Sequence, residues 1–241
     1  ILQGAETPFM KEVLKGIQEA CAEVDNLGGT VLVHKIEHQN AEDVILAMEK
    51  MRMEEVSGIA MVPLDEERVK REIDRFVEEF RIPVVTFTSD VEDTKRLCFV
   101  GQNGVQCGRA AAGLMGELTG GKGKVVVISG YSTNTSLSSR VVGFREEIAR
   151  KYPGIEIIGP EYCFEENGRA REITEGIFKD VPDLDGIYLT SHGEEGVCEA
   201  IAGAGKAGRV KMVANDFMGR NYELMREGFI HFLIGQDARI Q

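Results

Sequence analysis

Read for hydrophobic periodicity, the chain alternates short β-branched runs with longer amphipathic segments. Residues 8–26 set Phe9, Val13, Ile17, Ala20 and Val24 three or four apart, on one helical face. Thr7 before Pro8 reads as an N-cap, and Gly28-Gly29 end the helix. Strands are expected at 30–36, 57–62, 84–87 and 97–101, with helices at 41–53 and 65–80. The second half repeats the rhythm. Helices fall at 104–119, 137–151, 167–179, 194–204 and 219–227. Strands fall at 124–129, 155–162, 186–190, 210–216 and 230–235. Continuous apolar strands separated by helices predict α/β architecture with parallel sheets covered on both faces. Two doubly wound sheets of about five strands suit the length better than one of about ten.

In doubly wound sheets ligands sit beyond the carboxyl ends of the strands. The residues there are Gln3 to Phe9, Pro63, Thr88 to Asp90, Gln102-Asn103, Gly130 to Arg140, Ser191-His192, Asn215-Asp216 and Gln236-Asp237. They are polar, with no Cys–His pair and no His–Glu cluster. Several motifs fail. Gly116 to Lys122 nearly spells a phosphate loop, but Gly123 replaces the magnesium-ligating hydroxyl and the order is helix then strand. It reads as a helix C-cap and turn. No G-x-G-x-x-G follows the first strand and no G-x-S-x-G exists. His34 and His38 lie in a strand pattern, which denies them helical zinc geometry. His192, at a strand end, reads as a solvated loop residue or a ligand contact. Catalytic residues, metals and cofactors are all expected to be none.

Composition narrows the partners. The chain has 241 residues, 40 acidic against 28 basic, and a formal charge of −12. Its basic residues are dispersed among carboxylates, which argues against direct nucleic-acid binding. No apolar run reaches the length of a membrane span. No signal peptide is visible, and the abrupt start at Ile1 reads as a chain cut from something longer. The five cysteines, Cys21, Cys98, Cys107, Cys163 and Cys198, are scattered and fit free thiols in a reducing cytosol.

TPFMKEVLKGIQEA, IPVVTFTSD, FVGQNGVQCGRAAA, SSRVVGFREEI, VANDF and LIGQDARIQ occur in this order along the chain. Together they resemble the type I periplasmic-binding-protein fold, and more narrowly the ligand-binding region of LacI/GalR transcription regulators and their relatives, the sugar-binding proteins of ABC transporters. The resemblance implies two similar doubly wound lobes joined by a crossover hinge, with ligand clamped between them. The first would be 1–103, with 237–241 crossing back, and the second 104–236. It implies ligand contacts at Thr7, Phe9, Ser89, Asp90, Asn103, Arg140, Ser191, Asp216 and Gln236. A carboxylate accepts from adjacent hydroxyls and a guanidinium donates several bonds, so a sugar or polyol suits this set. A phosphosugar also fits, with Arg140 and helix N-termini receiving the anion.

The function so implied is the effector-binding domain of a LacI/GalR-like regulator: cytoplasmic, allosteric and homodimeric, with no enzymatic activity and no membrane partner. DNA would be reached only through an N-terminal helix-turn-helix outside this sequence. Val44, Ala47, Met48, Met51, Ile73, Phe76 and Val77 are the apolar candidates for the dimer face, unless they pack on their own sheet. The alternative is an extracytoplasmic sugar-binding protein of an ABC transporter.

Overall fold

The computed structural model describes residues 1–3, 7–36 and 38–241. Residues 4–6 of the first strand-end loop, and Glu37, lie outside the described residues. The chain divides into two compact units. Unit 1 comprises 1–102, 133–136 and 237–241; unit 2 comprises 103–132 and 137–236.

Unit 1 contains β1 (Leu2–Gln3), α1 (Pro8–Asn26), β2 (Lys35–Ile36), α2 (Ala41–Met53), β3 (Ile59–Met61), α3 (Glu67–Glu78), β4 (Val84–Phe87) and β5 (Cys98–Val100). β1 pairs with β2, and β3, β4 and β5 form a second parallel ladder. Backbone bonds join the two: the Ile1 amine donates to Ala60 O at 2.7 Å, and Val62 N donates to Ile1 O at 3.1 Å. α1 starts as its sequence specifies, with Thr7 Oγ1 accepting from Met10 N at 3.2 Å and Pro8 in the first turn. The strand expected at 30–36 shortens to Lys35–Ile36. A strand exists only where a neighbour takes its backbone bonds, and among the described residues β1 registers against Lys35 and Ile36, with Leu2 N donating to His34 O at 2.9 Å.

Val44, Ala47, Met48 and Met51 of α2, with Ile73 and Phe76 of α3, are buried in the unit's own core against Ile59, Met61 and Val84. Val77 packs partly buried on the same cluster. These residues therefore cannot form the expected homodimer face.

Unit 2 contains α4 (Gly104–Thr119), β6 (Lys122–Ser129), α5 (Thr135–Lys151, from Leu137 on), β7 (Gly154–Tyr162), α6 (Asn167–Asp180), β8 (Gly186–Leu189), α7 (Glu194–Gly203), β9 (Lys211–Asn215), α8 (Asn221–Arg226) and β10 (Phe232–Ile234). Its parallel sheet has the order β10-β9-β8-β6-β7. β6 alternates between two cores. Val126 and Ile128 face α6 and α7 with Ala170, Val197 and Ile201, while Val125 and Val127 face α4 and α5 with Ala111, Met115 and Phe144. The near-phosphate loop is a helix end, with Gly120 and Gly121 at φ 65° and 74° and Gly121 N donating to Gly116 O at 2.8 Å. The chain leaves β6 toward β7 on one side and later adds β8 on the other, so a topological switch point lies between β6 and β8.

α4 and α5 meet backbone to backbone. A Cβ on Gly108 would collide with the Arg140 carbonyl, and one on Gly143 with the Val105 carbonyl. Gly113, in the same helix as Gly108, has open space around its Cα. Gly108→Ala should therefore destabilise the protein by about 1–3 kcal/mol through overpacking. Gly113→Ala should be neutral or stabilise by up to about 1 kcal/mol. Urea denaturation of the two variants checks the contrast, and equal midpoints would contradict the close approach.

Candidate functional site

At the switch point, the residues after β6, β7, β8 and β9 converge on one edge of unit 2. Arg140 on α5 is 2% exposed, and its Nη1 donates to Thr190 O at 2.5 Å. Thr190 Oγ1 in turn shares a 2.7 Å hydrogen bond with Ser129 Oγ, tying the ends of β6 and β8 together. Ser191 follows, 5% exposed, with no partner for its hydroxyl among the described residues.

The β8–α7 turn is organised by Glu194. Its Oε2 pairs with His192 Nδ1 at 2.9 Å and accepts from Gly193 N at 3.1 Å, with Gly193 at φ 134°. Its Oε1 accepts from Asn221 Nδ2 at 2.8 Å, and the same amide donates to Asp216 O at 2.9 Å. Asp216 adopts φ 67°, and its Oδ1 accepts from Gln236 Nε2 at 3.0 Å. A left-handed aspartate is tolerated in a turn and here directs the carboxylate back over the sheet end.

Burial dominates the electrostatics. It pushes the Asp216 carboxyl above the usual range, opposed by Arg140 and the Gln236 bond. It pushes Glu165, after β7, up to about 7, opposed by His192 and Arg140 and reinforced by Glu194 and Asp216. The Glu194 hydrogen bond holds His192 above the ordinary histidine value. The edge thus has carboxylates in excess over one guanidinium and one imidazole. Two aromatic pairs flank it. Tyr131 and Phe164 have ring centroids 5.5 Å apart, and Phe217 and Tyr222 5.4 Å apart. Phe164 and Phe217 are 47% and 56% exposed, open apolar faces beside buried polar groups.

The expected residues thus separate. Arg140, Ser191, Asp216 and Gln236 come together on this edge. Asn103 caps α4, its Oδ1 accepting from Gln106 N at 3.0 Å. In unit 1, Thr7 is the α1 cap and Phe9 lies half-buried in that helix's first turn. Ser89 Oγ bonds Thr135 Oγ1 at 2.8 Å. Asp90 faces Arg96 through Nη2–Oδ2 and Nε–Oδ1, each 2.6 Å, and also accepts from Thr86 Oγ1 at 2.7 Å. Sequence reasoning reached Tyr131 only within the stretch Gly130 to Arg140 and missed Phe164 and Glu165. The rule that selects residues after each strand reaches 163–166, after β7, once applied there. Among the described residues, no cluster of three metal-ligating side chains occurs.

Two aspartates therefore differ in kind. Asp90 neutralises a partly buried arginine, and Asp90→Ala should destabilise unit 1 by about 1–3 kcal/mol, discounted for the pair's partial exposure. Burial pushes the Asp216 carboxyl above the usual range, a cost that its removal relieves, so Asp216→Ala should leave stability unchanged or raise it. Thermal and urea unfolding at neutral pH test this. A destabilisation by Asp216→Ala equal to that of Asp90→Ala would refute the distinction.

Comparison with known proteins places this geometry. The profile of the family described as "Periplasmic binding protein domain" matches residues 1–241. The D-allose-binding periplasmic protein of Escherichia coli (strain K12) is 22% identical over 247 residues, covering 98% of this chain and 78% of that protein. Among solved structures, GanP, a glucose-galactose binding protein from Geobacillus stearothermophilus, superposes with a TM-score of 0.89 at 24% identity. That match covers 99% of this chain and 84% of GanP. AraP, an arabinose binding protein from the same organism, gives 0.74 at 27% identity, covering 95% of this chain and 78% of AraP.

Two expectations change. These relatives are binding proteins, and they give no support to the narrower LacI/GalR assignment or its DNA and homodimer partners. The expected cytoplasmic location is overturned by the family and by the periplasmic relative. For three of the five cysteines the argument loses its force for a physical reason. Cys107, Cys163 and Cys198 are buried, and burial pushes the latter two thiols up to about 11 and about 12. Buried thiols of that kind are inert and carry no signal of compartment, whereas Cys98 is exposed and Cys21 half-buried. With the profile matched from end to end over parallel α/β units, the chain belongs to the periplasmic binding protein domain family.

Proposed function

We propose that the protein binds a monosaccharide at the carboxyl edge of unit 2 and serves outside the cytoplasm as the sugar-binding component of an ABC transporter, without catalysing a reaction. The observation that carries this reading is the convergence of Arg140, Ser191, Asp216 and Gln236 at the switch point, flanked by exposed aromatic faces. Arg140 supplies guanidinium donors, Asp216 accepts from adjacent hydroxyls, and the Gln236 amide both fixes Asp216 and offers its carbonyl. An aromatic face covers the C–H surface of a pyranose without requiring charge. D-Allose, glucose, galactose and arabinose, named for the relatives, share this chemistry. The membrane partner is the transporter that accepts the sugar.

Calorimetric titration with D-allose, D-galactose, D-xylose and L-arabinose tests the reading. At least one should bind the wild type. Arg140→Ala and Asp216→Ala should each cost about 2–4 kcal/mol, because ligand hydroxyls lose a charged partner. That is roughly 30- to 1,000-fold in affinity. Lys122→Ala, at the opposite end of β6, should change nothing. Equal affinity for wild type and both site variants would place the sugar elsewhere.

A further inference from the structure

Gly130 sits directly after β6 at the switch point. A Cβ placed on it would lie 2.8 Å from Glu165 Cγ and 2.9 Å from Ser191 Oγ, so side chains from two other strand ends converge over this glycine. The Ser191 hydroxyl is buried and unpartnered among the described residues, a costly state unless a ligand supplies the missing bond. Glu165 reaches this point through two successive left-handed residues, Phe164 at φ 55° and Glu165 at φ 60°. Non-glycine residues hold that conformation at a cost and concentrate where ligands are gripped. Arg140 of α5, His192 and Glu194 of the β8–α7 turn and Asp216 beyond β9 all act on the Glu165 carboxyl. Tyr131 beyond β6 and Cys163 of its own loop feel its charge in return.

We propose that Glu165 is a further ligand-binding, specificity-determining residue of this edge: bearing its proton, it joins Ser191 in hydrogen-bonding a hydroxyl of an uncharged sugar, and it disfavours anionic sugars. This rests on the sugar reading and adds to it a residue and a charge class. A protonated carboxyl both donates and accepts, which a hydroxyl can use in either role. An anionic sugar would set a further negative charge beside Glu194 and Asp216.

Burial already raises the Glu165 carboxyl to about 7 in the free protein. A sugar covering it removes more water, which raises the value further, so the bound state keeps the proton. Affinity is then level while free Glu165 is protonated. It falls as pH rises through about 7, by up to about tenfold per pH unit, until the bound-state value is reached.

The test is calorimetric titration between about pH 6 and about pH 8.5. It uses the four neutral sugars and D-galacturonate on wild type, Glu165→Gln and His192→Gln. For wild type, the tightest neutral sugar should weaken by about tenfold across the alkaline half of that range; for His192→Gln, which removes a group that lowers the Glu165 value, the fall should begin at higher pH. Glu165→Gln should change less than about twofold. On wild type, D-galacturonate should bind at least about tenfold more weakly than D-galactose. If a neutral sugar binds but Glu165→Gln keeps the wild-type pH profile, the Glu165 assignment is wrong and the sugar reading stands. The same holds if His192→Gln moves the fall to lower pH or D-galacturonate binds as well as D-galactose. If no sugar of the panel binds at any pH, the sugar reading itself fails and this inference fails with it.

Discussion

The guanidinium of Arg140 is the positive charge on which the carboxyl edge of unit 2 depends. Burial raises both Glu165 and Asp216, and at both positions Arg140 acts in the opposite sense. Without it, two desolvated carboxyls and the nearby Glu194 would meet only His192, itself committed to Glu194. Desolvated like charges neutralise by taking up protons. The edge therefore stands close to a protonation boundary, and hydroxyl groups that both donate and accept are the ligands such a surface suits.

The placement of that charge is a backbone matter. Gly108 lacks the side chain that would collide with the Arg140 carbonyl, and Gly143 lacks the one that would collide with Val105. α5 therefore lies close enough on α4 for Arg140 to reach Thr190 O, beyond the end of β8. Thr190 is tied to Ser129 at the end of β6, so the two strands that bracket the switch point and the cation above them form one hydrogen-bonded set. Phe144, one turn further along α5, stacks on Tyr188 of β8 with centroids 4.7 Å apart, which fixes the same helix from its apolar side.

Much of this was legible in the chain. The period-two and period-3.6 patterns located most strands and helices to within a few residues, because β3, β4, β8 and the centre of β6 are apolar runs and each long helix carries one apolar face. Thr30 to Val33 was misread because strand formation is a property of pairs: the residues suit a strand, but among the described residues β1 registers only against Lys35 and Ile36. Arg140 stood out because a cation early in a helix opposes the dipole and needs another reason to be there. The pairing of Asp90 with Arg96, six positions on, was not legible because it depends on how the loop after β4 turns. Glu165 could not be distinguished at all: its character comes from burial and from charges contributed by three other segments. Homodimer candidates in α2 and α3 failed for the converse reason, since an apolar helix stripe looks the same whether it meets its own sheet or a second chain.

Amide chemical-shift mapping of the isotope-labelled protein during titration with D-allose or D-galactose tests the central claim most directly. The account predicts perturbations concentrated at Gly130, Tyr131, Glu165, Ser191 to Gly193, Asp216 and Gln236 of unit 2. The amino-end positions Lys122 and Gly208 should stay still. Saturating sugar that left those carboxyl-edge amides unmoved, while shifting the amino end of the sheet, would contradict it.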